Sequence, residues 1–101
     1  FDVIFVSTKN RVVGRERLSE GTIDQAAVYP RRVVASALAA NAASLIFVHN
    51  HPSGDPTPSA EDKQLNRRLE EAAQTVGIPV LDHLIVGNGG HFSFREKGLL
   101  A

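Results

Sequence analysis

Two histidines stand two positions apart, His49 and His51, directly after the apolar run of residues 45–48. If that run is a strand, its two-residue period puts both imidazoles on one face with Leu45 and Phe47. Paired imidazoles are the usual first half of a zinc or iron site. The plainer alternative is one histidine capping a loop and the other in solvent. Asp62 bears on the choice. It precedes Leu65, Leu69, Ala72 and Ala73 at helical spacing, so it projects from the N-terminal end of the stripe that meets the sheet. A carboxylate there needs a partner. The helix's own N–H groups offer one, a metal ion another, and its two oxygens can serve both. Two His and one Asp leave the fourth corner of a zinc tetrahedron to water, the mark of a catalytic site. The chain has no cysteine, so thiolate ligands and disulfides are excluded.

A bound water that is to attack an amide needs a base, and Glu16 is the candidate. Residues 11–19 read as a strand in which Val12, Gly14, Glu16 and Leu18 share one face and Val13, Arg15, Arg17 and Ser19 the other. Glu16 is thus a carboxylate on the core side, turned away from Arg15 and Arg17. Glu20 has the same parity but adjoins Gly21 at the strand's end, and ranks second.

The elements that position these residues follow from pattern. Residues 1–6 read as a buried strand, Lys9-Asn10 as a turn, and residues 11–19 as its hairpin partner. Residues 21–28 read as loop. Pro30 suits the first turn of a helix that continues through Val34, Ala37, Leu38 and Asn41 to about Ala43. The wholly apolar residues 45–48 imply a central strand covered on both faces, and residues 52–58 form a Pro-rich loop. Ser59 and Asp62 make a capping box with Asp in place of Glu. The helix they open has Leu65, Leu69, Ala72, Ala73 and Val76 as its stripe and ends at Gly77. Residues 78–86 and 91–94 read as two last strands around a glycine turn. The order β-β-α-β-α-β-β predicts an α/β sandwich, a mixed sheet with helices packed on it.

The 101 residues read as a single domain spanning residues 1–101. A start inside a strand without methionine points to a fragment of a longer chain. Lys plus Arg equals Asp plus Glu, at 11 each, which argues against a broadly basic nucleic-acid surface. No signal peptide and no span of about 20 apolar residues is visible, so the expected location is cytoplasmic, with no membrane contact.

The spacing Glu, then His-x-His, then the seven residues from Pro52 through Pro58, Ser59, two residues and Asp62 resembles the JAMM (MPN-plus) metalloprotease motif. More closely, the chain resembles the JAMM-like domain of bacterial RadC proteins, traditionally labelled DNA repair proteins. The resemblance rests on residues 16–22 (E-R-L-S-E-G-T), Tyr29-Pro30-Arg31, Asn41-Ala42-Ala43, residues 49–54 (H-N-H-P-S-G), Pro58-Ser59 with Asp62, Leu81-Asp82-His83, and Ser93-Phe94 with Gly98-Leu99-Leu100. It covers nearly the whole chain. Arg32 stands where that family often has Glu, and matches no metal or base position. The resemblance implies a cytidine-deaminase-like α/β fold, Zn2+ held by His49, His51 and Asp62, Glu16 as acid/base, and Ser59 as donor to the tetrahedral oxyanion. Read from the residues alone, Ser59 is equally a helix cap.

The function expected is zinc-dependent cleavage of peptide or isopeptide bonds through an activated water, with a peptide or protein substrate. Two alternatives stand beside it. One is a non-enzymatic DNA repair or recombination module with a zinc site, its DNA contacts lying in parts of a longer protein. The other is a metal-dependent nuclease, for which Arg67 and Arg68 would be the basic strip. His83 reads as a core or hydrogen-bonding histidine, opposite in face to Asp82, and His91 as exposed.

Overall fold

The structure, a computed structural model, describes residues 1–19 and 28–101. Glu20 and most of the expected loop at residues 21–28 lie outside the described residues. Among the described residues five strands and two helices occur in the order β1 (Asp2–Val6), β2 (Val12–Arg17), α1 (Pro30–Ala39), β3 (Ser44–Asn50), α2 (Ala60–Thr75), β4 (Val80–Gly87) and β5 (Gly90–Ser93). This is the expected order. The strands form one mixed sheet, β2-β1-β3-β4-β5, in which only β3 and β4 are parallel. A parallel pair requires a crossover, and α2 supplies it.

Both helices lie on one face of the sheet. Val3 and Phe5 of β1 and Leu45 and Phe47 of β3 form a single apolar core with Val33 and Ala37 of α1 and Leu65, Leu69 and Ala73 of α2. The reverse face carries Ile4, Ile46, Val48 and Leu84, all half-buried. The expectation that β3 is covered on both faces is therefore corrected. The two helices pack side by side on one face, and an apolar run cannot distinguish one covered face from two.

Two boundaries also differ from the pattern reading. Helix α1 stops at Ala39, short of Ala43, because Asn41 takes a left-handed conformation (φ 53°). The Ala42 N–H then reaches the Ala37 carbonyl and the Asn41 N–H that of Leu38, a Schellman ending. Asn41 is thus the helix stop and not part of its stripe, and Leu38 faces solvent. In β2 a register shift opposite Phe5 and Val6 breaks the alternation, leaving Val12 68% exposed where core was expected. Beyond the shift the parity holds: Gly14 pairs with Phe5 and Glu16 with Val3, both core residues.

Candidate metal centre

The site forms where β3 leaves the sheet and α2 begins. His49 continues the inward face of Leu45 and Phe47 and is buried. His51 follows just beyond the strand, where its N–H still bonds the Val86 carbonyl of β4. The two rings meet edge to face, with centroids 4.6 Å apart. The loop after His51 turns at Gly54 (φ 87°) and is tied back to β4 by the Asn88 N–H on the Gly54 carbonyl. Gly87 permits this approach, for a Cβ there would collide with the Gly54 carbonyl.

Helix α2 starts with a reciprocal capping box. The Asp62 N–H donates to Ser59 Oγ at 3.0 Å and the Ser59 N–H donates to Asp62 Oδ2 at 2.8 Å. Asp62 is itself buried, so the box fixes a carboxylate directly against the histidines. Asp62 Oδ2 lies 3.1 Å from His51 Nε2, and Oδ1 lies 3.7 Å from His49 Nδ1. One ligand atom from each of the three residues falls within 4.8 Å of the others. Ligands of a tetrahedral ion at 2.0–2.1 Å stand about 3.3 Å apart, so a small contraction closes the set around a metal.

The donor chemistry fits the same conclusion. His51 Nδ1 meets the Asp55 carbonyl at 2.8 Å. A carbonyl only accepts, so Nδ1 carries a proton, and Nε2, 3.1 Å from Asp62 Oδ2, is the nitrogen that would face a metal; a carbonyl on the far nitrogen is the usual outer support of a metal-bound histidine. His49 Nδ1 is buried with no hydrogen-bond partner. Burial, with the neighbouring His51, outweighs Asp62 and lowers the His49 pKa from 6.5 to about 4, so His49 is neutral and ligand-ready at pH 7. Burial would raise the Asp62 carboxyl, but the Ser59 N–H and the two histidines hold it below its ordinary value.

Glu16 is not brought into this group. It is on the same face, on β2, two strands from β3 and one side-chain row behind His49. Its carboxylate accepts from Ser36 Oγ at 2.8 Å and pairs with Arg32 Nε at 3.5 Å, both on α1. Arg15 and Arg17 pair with Asp2 on the reverse face, as their parity requires. Arg32 thus touches the one carboxylate expected to act as base. Pattern reading missed this because the contact joins β2 to a helix across residues of no fixed spacing.

His83 is fully buried on β4 and bonds Asn66 Oδ1 through Nδ1 at 3.0 Å. Burial, with His49 next, lowers its pKa to about 3. Its partner Asn66, and Glu70 to which Asn66 donates, are also buried. The available signal was that they lie beside Leu65 and Leu69 with the same four-residue step. His91 is exposed, as are Arg67 and Arg68.

Two imidazoles and one carboxylate at a strand-to-helix junction of a mixed-sheet α/β domain make a donor set that could hold a metal ion. Residues 1–99 match the family described as the RadC-like JAB domain, and the chain belongs to that family. It is 53% identical over 100 residues to a UPF0758 protein of Symbiobacterium thermophilum, covering 99% of this chain and 43% of that protein. A UPF0758 protein of Trichlorobacter lovleyi is 51% identical over 100 residues, covering 99% and 44%. One of Pseudomonas fluorescens is 53% identical over 100 residues, covering 99% and 45%. The chain spans less than half the length of these curated relatives. Among the described residues no helix is long and apolar enough to cross a membrane.

Proposed function

We propose that this chain is a zinc-dependent hydrolase of JAMM type that cleaves peptide or isopeptide bonds. The observation that carries the reading is the convergence of His49, His51 and Asp62 within 4.8 Å, with His51 Nδ1 held by the Asp55 carbonyl. When bound, zinc supplies a Lewis acid and brings the pKa of a coordinated water to about 7. Glu16 takes the proton of the attacking water and returns it to the leaving amine. To do so its carboxylate swings from Ser36 and Arg32 toward the ligands. Ser59 accepts from the Asp62 N–H and keeps its own hydroxyl proton to donate to the developing oxyanion.

A second reading is a metal-braced, non-enzymatic module of a longer DNA repair protein. The engagement of Glu16 by Ser36 and Arg32 favours it, since a brace needs no base. One experiment separates the two. Chain purified without chelator is assayed for metal content and for cleavage of peptide, isopeptide and DNA substrates, with and without chelator. The expected result is about one zinc per chain, lost in His49→Ala and in Asp62→Ala, with chelator-sensitive peptide or isopeptide cleavage. Glu16→Gln keeps the metal and loses about 10²–10⁴-fold in turnover. Zinc retention without any cleavage supports the brace. Zinc retained in both ligand variants refutes the site.

A further inference from the structure

A buried polar chain runs behind the metal centre. The Ala101 N–H donates to Glu70 Oε2 at 2.9 Å, and Asn66 Nδ2 donates to Glu70 Oε1 at 3.3 Å. With its amide nitrogen turned to Glu70, Asn66 presents Oδ1 to His83 Nδ1 at 3.0 Å. An amide oxygen only accepts, so the His83 proton is on Nδ1 and Nε2 carries a lone pair. The ring cannot turn to another partner. It stacks on Phe94 at 4.4 Å and is flanked edge-on by Phe1 and Phe47.

His83 Nε2 is therefore an acceptor, fully buried and without a hydrogen-bond partner. Among the described residues the one other buried ring nitrogen in that condition is Nδ1 of His49. The two rings are neighbours, with centroids 6.0 Å apart and planes inclined by 35°. A direct imidazole–imidazole hydrogen bond sets centroids about 5 Å apart, so the pair stands about 1 Å from closure. A histidine that gives one nitrogen to a metal keeps a proton on the other, and that proton needs an acceptor. His51 has the Asp55 carbonyl; His49 has no such support of its own.

We propose that His83 is a positioning residue for His49: its Nε2 accepts the N–H of His49 Nδ1, so that His49 Nε2 is the nitrogen turned to the metal. Asn66 and Glu70 set the tautomer that makes this possible, and the C-terminal backbone at Ala101 anchors the far end. The inference rests on the metal-site reading and concerns affinity and ligand orientation, not the hydrolysis itself.

Two measurements test it on the unaltered chain and its variants. Long-range proton–nitrogen correlation spectra of labelled protein report the tautomer directly. The expected result is His83 protonated at Nδ1, with its Nε2 resonance moving toward that of a hydrogen-bonded acceptor when one equivalent of Zn2+ is added. A proton on Nε2, or an Nε2 resonance that zinc does not move, overturns the proposal, and this readout requires no variant to fold. Zinc affinity is then measured by chelator competition. His83→Phe keeps the stacked ring, removes the acceptor, and is expected to bind zinc about 10–100-fold more weakly. His83→Gln, which restores an acceptor oxygen, recovers part of the loss. Equal affinity of the phenylalanine variant and the unaltered chain overturns the proposal while the ligand set stands. Failure of the unaltered chain to bind zinc removes the ligand set itself, and the proposal with it.

Discussion

Ser59 occupies two roles that substitution can separate. Its Oγ accepts the Asp62 N–H and its own N–H holds Asp62 Oδ2, so it caps α2 and aims a ligand at once. Ser59→Ala removes only the Oγ half, because the backbone N–H remains. Loss of an N-cap acceptor costs about 0.5–2 kcal/mol. With half of the box intact, a value near 1 kcal/mol is expected, and in a domain of this size that lowers Tm by about 4–8 °C. Asparagine is as good an N-cap as serine but has no hydroxyl, so Ser59→Asn should melt within a few tenths of a kcal/mol of the parent. If the hydroxyl also donates to the oxyanion, the alanine variant loses about 10²–10³-fold in turnover, and the asparagine variant, whose amide N–H can donate in its place, loses less. The two are thus expected to differ in both stability and turnover. Urea melts and turnover on the same preparations decide it. An alanine variant as stable as the parent would show that the box does not hold the helix start. An alanine variant with parental turnover would leave Ser59 a cap and nothing more.

Leu69 is fully buried between α2 and the sheet, so Leu69→Ala should cost about 2–5 kcal/mol in a denaturant melt; a neutral result would mean that α2 does not seat on the sheet as described. Gly87→Ala forces a Cβ into the Gly54 carbonyl and Pro56, and should cost about 1–3 kcal/mol while weakening metal binding, because the displaced loop carries the Asp55 carbonyl that supports His51. Unchanged zinc affinity in that variant would detach the loop from the site. The buried histidines also set a pH dependence. The unfolded chain takes up protons near pH 6.5, whereas folded His49 and His83 resist them until about 4 and 3. Stability is therefore full above about 6.5 and declines as pH falls toward 4. Urea midpoints should drop between pH 7 and pH 5, and less so in His83→Phe; a flat profile would refute the neutral burial of both rings.

The grouping of the candidate ligands was legible because their geometry is local. Strand period aims His49 with Phe47, helical period aims Asp62 with Leu65 and Leu69, and the Ser59–Asp62 box is a four-residue pattern with its own physics. The family resemblance named the same three residues. What stayed illegible depends on contacts between elements distant in the chain. The α1 side chains that hold Glu16 come from about twenty residues downstream, and nothing in the alternation of β2 announces Arg32 as its neighbour. The bulge that exposes Val12 and the left-handed Asn41 that shortens α1 are single-residue conformations, to which a periodic signal is blind. The polar chain from Glu70 to His83 was hidden in the same way, since two polar residues beside an apolar stripe read as its solvent margin until the sheet covers them.

All three candidate ligands lie between residues 49 and 62, on one strand, one loop and the first turn of one helix. Such a short loop costs little entropy to close even in an unfolded chain. The denatured ensemble would therefore retain some affinity for the ion, since both histidines and the carboxylate remain tethered within reach of one another. Stabilisation by a ligand depends on the difference in affinity between the native and unfolded forms. Zinc should accordingly raise the melting temperature by less than its native-state affinity alone would suggest, and the ion could dock on this segment before the sheet around it has finished assembling.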